Sequence, residues 1–186
     1  MSINAKATQK GMGLMEVIVA LILLSIGVLG FAMLQMRAME ASLDASKRIQ
    51  AMSIARDLSE RMRANNQGLA KSIPIKVGDV DKVVDAYSNA FGGRTYSSTY
   101  TAACSNTAKC TSVQFATEDV NQVLFKAYTN GMNVALNECP GTMTRSRYCV
   151  YVAWDETTPN DSSSQTSCTN NGSYLSDSKC VVLEAY

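Results

Sequence analysis

The sequence predicts an α+β protein: one long N-terminal α-helix, membrane-spanning in its first half, packed on a small antiparallel-sheet head. Three observations carry that expectation. Val17 to Leu34 is a run of 18 residues without a charge. The helical pattern continues past it without a proline. All six cysteines and the densest strand-like segments lie in the second half of the chain.

At ~1.5 Å per helical residue the charge-free run reaches roughly 27 Å, about the thickness of the bilayer core. It is longer than the 7–15-residue core typical of a removable secretory signal, and no clean A-x-A cleavage site follows. Lys6 and Lys10 precede it without a neighbouring acid, so the positive-inside rule keeps the N-terminus cytoplasmic and exports the rest. From Met36 onward the apolar positions Met36, Met39, Leu43, Ala51, Ile54, Leu58 and Met62 recur mostly at steps of three and four. Asp44 with Arg48, Arg56 with Glu60 and Asp57 with Arg61 supply i,i+4 pairs for a wet face. Asn65-Asn66-Gln67-Gly68 reads as the stop. One helix from about Gly13 to Asn66 would be roughly 80 Å long. Its outer half can bury a stripe on its own head, whereas its inner half needs lipid or other copies of itself. Ser25, Gly27 and Gly30 either weaken this inner half or let helices pack closely.

Glu16 stands at the start of the apolar run. A carboxylate inside a membrane segment costs about 2.5–3.5 kcal/mol on insertion scales and usually has a partner. Either Glu16 stays wet at the headgroup boundary, or a cation answers it. A cut after Gly11 would create an α-amino group on Met12, four residues away on the same helix face. That amine could neutralise the carboxylate of its own or a neighbouring helix and so set the axial stagger between subunits.

Composition narrows the function classes. Net charge is +1 with no basic stripe, which argues against a dedicated nucleic-acid surface and leaves at most weak binding. There is no histidine, so the residue most used for acid–base work near neutrality and for metal ligation is missing. Cys104, Cys110, Cys139, Cys149, Cys168 and Cys180 form an even set beyond a membrane anchor and contain no C-x-x-C pair. They are therefore read as disulfide partners in an oxidising compartment, with no metal and no cofactor. Asp155-Glu156 makes a poor catalytic dyad, because adjacent strand residues point to opposite faces. No nucleophile–base constellation or phosphate-cradling glycine motif is present, and no enzymatic activity is expected.

KGMGLMEVIVALILL, residues 10–24, resembles the class III signal of type IV pilins: a short basic leader, Gly, and Glu as the fifth mature residue before an apolar helix. LQMRAMEASLDASKRIQAMSIARDLSERMRANNQG, residues 34–68, is similar to the same stretch of PilV-type minor pilins, the type IV pilus modification proteins. A strand leading into Trp154-Asp155-Glu156, then a late cysteine pair and a terminal strand, also resembles them. The chain departs from the family at Met12, where Phe is usual, and it lacks the helix-bending proline of main subunits. The resemblance implies a leader peptide over residues 1–11, cut after Gly11 by a prepilin peptidase that methylates Met12. It implies a helix over 12–67, with its membrane anchor at about 14–36 and an amphipathic extension at about 37–66, and an exported head over 68–186.

By the same resemblance Glu16 serves subunit assembly, and the partners are other pilins, the peptidase, the inner-membrane assembly machinery and, before assembly, lipid. The function implied is a minor pilin that promotes pilus assembly, adhesion and twitching motility, moving from the inner membrane to the pilus. A minor pseudopilin of a type II secretion system shares the signal and the helix. A membrane-anchored binding module for DNA or a host ligand would instead keep an uncut N-terminus.

In the head, Asp79–Phe91 reads as a helix capped by Asp79, with Val80, Val83, Val84, Tyr87 and Phe91 apolar. Thr111 is expected to cap a second helix to about Ala127 that buries Phe115, Val120, Val123 or Leu124, and Tyr128. Tyr148–Trp154 is the clearest strand and CVVLEAY the closing one, with TTPNDSSSQTSCTNNGS as a polar loop between them. Sequential pairing, Cys104–Cys110, Cys139–Cys149 and Cys168–Cys180, is the preferred connectivity among the fifteen that six cysteines allow. Tyr96 and Tyr100, in a Gly/Ser/Thr loop, are expected to pack on the domain edge rather than to serve as adhesive anchors.

Overall fold

The computed structural model describes residues 13–104, 109–141 and 147–185. Helix α1 runs from Leu14 to Ala64 and passes through two compact units, one ending at Ala45 and the other covering Ser46–Tyr186. In the first unit no described residue is buried. The apolar side chains from Leu14 to Leu43 stand exposed, including Met36, Met39 and Leu43, and α1 continues unbroken through Gly27 and Gly30. Ser25 returns its hydroxyl to the carbonyl of Ile22 at 2.8 Å, satisfying itself within the helix.

The burial stripe of α1 is confined to the second unit: Ala51, Ile54, Ala55, Leu58, Ser59 and Met62. These positions repeat at helical spacing, and all but Ser59 enter the main core of the head. After α1, Asn65 accepts from the Gly68 amide and opens a short turn of helix, α2 (Asn66–Leu69). The expected stop is therefore a break followed by another helical turn.

The segment after it differs from expectation. Ile73–Val77 (β1) and Val80–Val84 (β2) pair as an antiparallel hairpin, so Asp79 lies in a turn and caps no helix. Gly78, at φ 63°, takes the first central position of a two-residue turn, where the primed hairpin turns demand positive φ. The β-branched Val80, Val83 and Val84 favour the strand. The helix starts later, as α3 (Ala86–Phe91), and its N-cap is Asp85, whose side chain accepts from the Tyr87 and Ser88 amides. Helix α4 (Ser112–Thr129) carries a capping box between Thr111 and Gln114. It buries Ala116, Val120, Val123, Leu124 and Ala127, whereas Phe115 and Tyr128 remain half-exposed.

Strands β3 (Met132–Glu138), β4 (Tyr148–Trp154) and β8 (Cys180–Glu184) form an antiparallel sheet in the order β3-β4-β8. Alternation sends Val150, Val152 and Trp154 into the helix-side core, and Cys149, Tyr151 and Ala153 to the other face. That second face is covered by segments of the region expected to be a plain polar loop. It forms β5 (Thr158–Asp161), β6 (Ser167–Asn170) and β7 (Ser173–Tyr174), which make a small sheet of their own. Its polar side chains are satisfied internally, with Thr169 donating to Asp161 at 2.6 Å and the Ser162 and Ser167 hydroxyls bonded at 2.6 Å. A strand built this way carries no apolar alternation for a sequence reading to detect.

Candidate assembly site

Glu16 lies in the first turn of α1 and is exposed, with its amide donating to the Gly13 carbonyl at 2.9 Å. A carboxylate in a first turn faces the positive end of the helix dipole. Around it, Leu14, Met15, Val17 and Ile18 are exposed apolar groups, so the acid has no partner of its own among the described residues of this unit. Gly11 and Met12, the expected cut site, lie outside the described residues. By length and composition the helix can cross a membrane, and none of its most apolar window is buried by the chain itself.

In the head, the second half of α1 is tied down by charge as well as by apolar burial. The Arg61 guanidinium donates through Nε to Asp57 Oδ1 at 2.8 Å, and through Nη1 to Asp119 Oδ1 at 2.9 Å and Gln122 Oε1 at 2.7 Å. Lys126 reaches Asp57 Oδ2 at 2.9 Å. The Tyr87 hydroxyl meets Asp119 Oδ2 at 2.8 Å, which brings α3 into the same network. Burial alone would raise the Asp57 pKa, but the hydrogen bonds from Arg61 and Lys126 outweigh it and hold the carboxyl below its ordinary value. Burial pushes the Tyr87 phenol up, and its bond to Asp119 pushes it further, so it stays a donor.

A second tie lies at the end of β4. Asp155 adopts φ 54° just after the strand, in a turn conformation that Asp tolerates better than most residues. It bonds Lys47 at 2.7 Å and Lys179 at 2.9 Å. The Lys47 bond first and the Lys179 bond second lower its pKa. Glu156 is exposed in the turn, so the acid pair serves as a clasp plus a solvated residue. Arg48 lies over the Trp154 ring at 5.7 Å from its centroid.

The structure joins Cys104 to Cys110, Cys139 to Cys149 and Cys168 to Cys180. The third bridge ties β6 to the first residue of β8. Among the described residues no cluster of His, Cys, Asp and Glu suits a metal ion. Tyr96 stacks on Tyr128, and Tyr100 on Phe125. Tyr100 also donates to the buried Glu118 and accepts from Gln122, which fixes the 96–104 loop on α4. Sequence reasoning found Asp57–Arg61 from its spacing but missed Asp119, Gln122 and Lys47, whose partners lie far along the chain. Only the unusual density of charge on α1 hinted at them.

A family model described as Type IV pilin Tt1218 matches residues 33–75. The chain is type IV pilin-like. The matched stretch covers the later part of α1, all of α2 and the start of β1, and stops short of the Glu16 region. No curated protein and no solved structure matches the chain. The architecture agrees with the family match, since a long N-terminal helix is followed by small, mainly antiparallel sheets. The exposed apolar half of α1 fits anchoring in a membrane.

Proposed function

We propose that this pilin-like chain is a minor pilin of a type IV pilus. It is made with a leader over residues 1–11, held in the inner membrane with its N-terminus cytoplasmic, and cut after Gly11 by a prepilin peptidase that methylates Met12. The assembly machinery then moves it into a filament, where it promotes pilus formation and contributes to adhesion and twitching motility. One observation carries this reading: α1 exposes a membrane-length apolar surface from Leu14 to Leu43 and buries only the stripe from Ala51 to Met62. A helix of that kind needs lipid, then other helices of its kind, to cover it.

Glu16 is the assembly residue in this reading. Its carboxylate is costly among apolar neighbours, and the Met12 amine of an adjacent subunit neutralises it. The pairing holds at one axial stagger and is lost at others, so it supplies register while apolar burial supplies adhesion between helices. Losing about 3 kcal/mol of such pairing corresponds to about a 100-fold change in an equilibrium. Glu16→Gln is therefore expected to leave cleavage and membrane insertion intact and to lower the content of this chain in sheared filaments by about 100-fold. Equal incorporation of wild type and Glu16→Gln would refute the role given to Glu16.

A further inference from the structure

The β3-β4-β8 sheet has two unlike edges. On the β3 side the Val134 amide donates to the Thr95 carbonyl at 2.8 Å, so a loop covers part of that edge. On the β8 side no described strand is paired. The Ala185 amide bonds the Tyr148 carbonyl, and the Trp154 amide bonds the Lys179 carbonyl. Antiparallel alternation then turns the backbone groups of Cys180, Val182 and Glu184 outward. The Val182 amide is met there by a side chain, the Tyr174 hydroxyl, at 3.0 Å. Native edges are usually blunted by such devices, because an open one recruits another strand.

Beside this edge lies a groove of about 910 Å³ between β8 and α1. Its lining contains Arg48 and Arg56 and no carboxylate; Asp177, in the neighbouring turn, stands outside it. Arg48 is taken up over the Trp154 ring. Arg56 is exposed, and the i,i+4 partner expected for it goes elsewhere: Glu60 lies 3.8 Å from Arg63. Arg56 makes no ion pair with any described residue. Ile49, 72% exposed, and Met52 form an apolar floor, and Tyr174 closes one side. Positions 49, 52 and 56 share one face of α1. The rise from Met52 to Arg56 is ~6 Å, close to the ~6.6 Å between same-face residues of a strand. Lys47 and Lys179 share Asp155, so α1 and β8 enter the groove from the same end.

We propose that this edge and groove bind an extended segment of a different protein, one that carries a carboxylate and, two residues away, an apolar side chain. The outward groups of β8 call for a peptide backbone, Arg56 for an acid, and the floor for an apolar residue. The incoming backbone takes the Val182 amide from Tyr174, its acid pairs with Arg56, and its apolar residue covers Met52 and Ile49. The exposed strand of this chain, β2, does not meet that description. Asp81 stands opposite Lys76 in the hairpin register, so that face brings no net negative charge. The contact therefore joins the head to another protein, once per copy, and it holds whether or not the chain enters a filament. A strand added along five-residue β8 buries less than the ~1,000 Å² of a stand-alone interface, so the free segment binds weakly and reversibly.

The test irradiates the full-length chain in detergent with a synthetic seven-residue peptide blocked at both ends. Threonine fills its odd positions, and glutamate, valine and the photo-crosslinker p-benzoylphenylalanine fill the even ones in that order. The label is expected on the tryptic peptide Ile49–Arg56. Exchanging the peptide's glutamate for lysine is expected to lower the yield about tenfold, and Arg56→Glu in the chain to reverse that preference. Methylating alternate backbone amides of the peptide is expected to abolish labelling in one phase and spare it in the other, because one set alone faces β8. No labelling, or a label outside Ile49–Arg56, overturns the proposal. Equal yields from the glutamate and lysine peptides, or from the two methylated phases, overturn it as well.

Discussion

Replacing Arg61 removes the centre of the network that joins α1 to α4 and, through Asp119, to α3. Arg61 makes three charge-assisted hydrogen bonds, to Asp57, Asp119 and Gln122. Each would contribute about 1.5–3 kcal/mol if fully buried. The Arg61 side chain is 31% exposed, and solvent screening brings each bond down to about 1 kcal/mol. Loss of the cation also leaves Asp119, 15% exposed, facing Tyr87 with its charge unanswered. The sum is about 2–3 kcal/mol. Arg61→Met keeps the apolar stem and isolates this polar contribution. At about 2–4 °C per kcal/mol for a chain of this size, the melting temperature should fall by about 5–10 °C. Trp154 is the only tryptophan and is 1% exposed, so its fluorescence reports unfolding of the head in the full-length chain held in detergent. In a double-mutant cycle, Arg61→Met and Asp119→Ala should couple by about 1 kcal/mol. A fall below about 1 °C for Arg61→Met, with no coupling, would refute the argument and leave Arg61 without a part in holding α1 to the head.

Thr111→Ala breaks the capping box of α4 and should cost about 1 kcal/mol, read as a fall of about 2–4 °C in the same melt. Cys168→Ser with Cys180→Ser frees β6 from β8 and should cost about 3 kcal/mol while the other two bridges persist, as a thiol assay with intact mass would show. Stability should change little between about pH 5.5 and 7, because the chain has no histidine. Asp57 and Asp155 have folded pKa values below the ordinary 3.8, so their contribution is full above that value and is lost as pH falls through the depressed pKa of each. Melting temperatures should therefore begin to drop below about pH 4–5, and Asp57→Asn should lessen that dependence.

The parts of the fold written in local periodicity were readable before the structure. The charge-free run and the three-and-four spacing define α1, and Tyr148–Trp154 matches β4 end to end because aromatic and β-branched residues fill it. Thr111 placed the start of α4 as its cap, and the structure adds Gln114 to complete a capping box. Errors arose where two periods fit one segment. Val80, Val83 and Val84 suit a helix stripe and also a hairpin, and the turn chemistry of Gly78-Asp79 favours the hairpin. β5, β6 and β7 are built from Ser, Thr and Asn, whose partners are one another and not an apolar core. Phe115 and Tyr128 are apolar by type yet half-exposed, because α4 turns Ala116 and Val120 inward to meet the packed helices closely. Glu16 stood out as a lone acid at the door of an apolar run. Arg61's distant partners could not, since nothing local ties position 61 to 119.

The most direct measurement of the central claim is the N-terminal mass of this chain in sheared surface filaments and, in parallel, in membranes. The account predicts chains in the filaments that begin at methylated Met12. A chain that retains residues 1–11 and stays in the membrane fraction would contradict it, leaving an anchored domain in which Glu16 is a wet boundary residue.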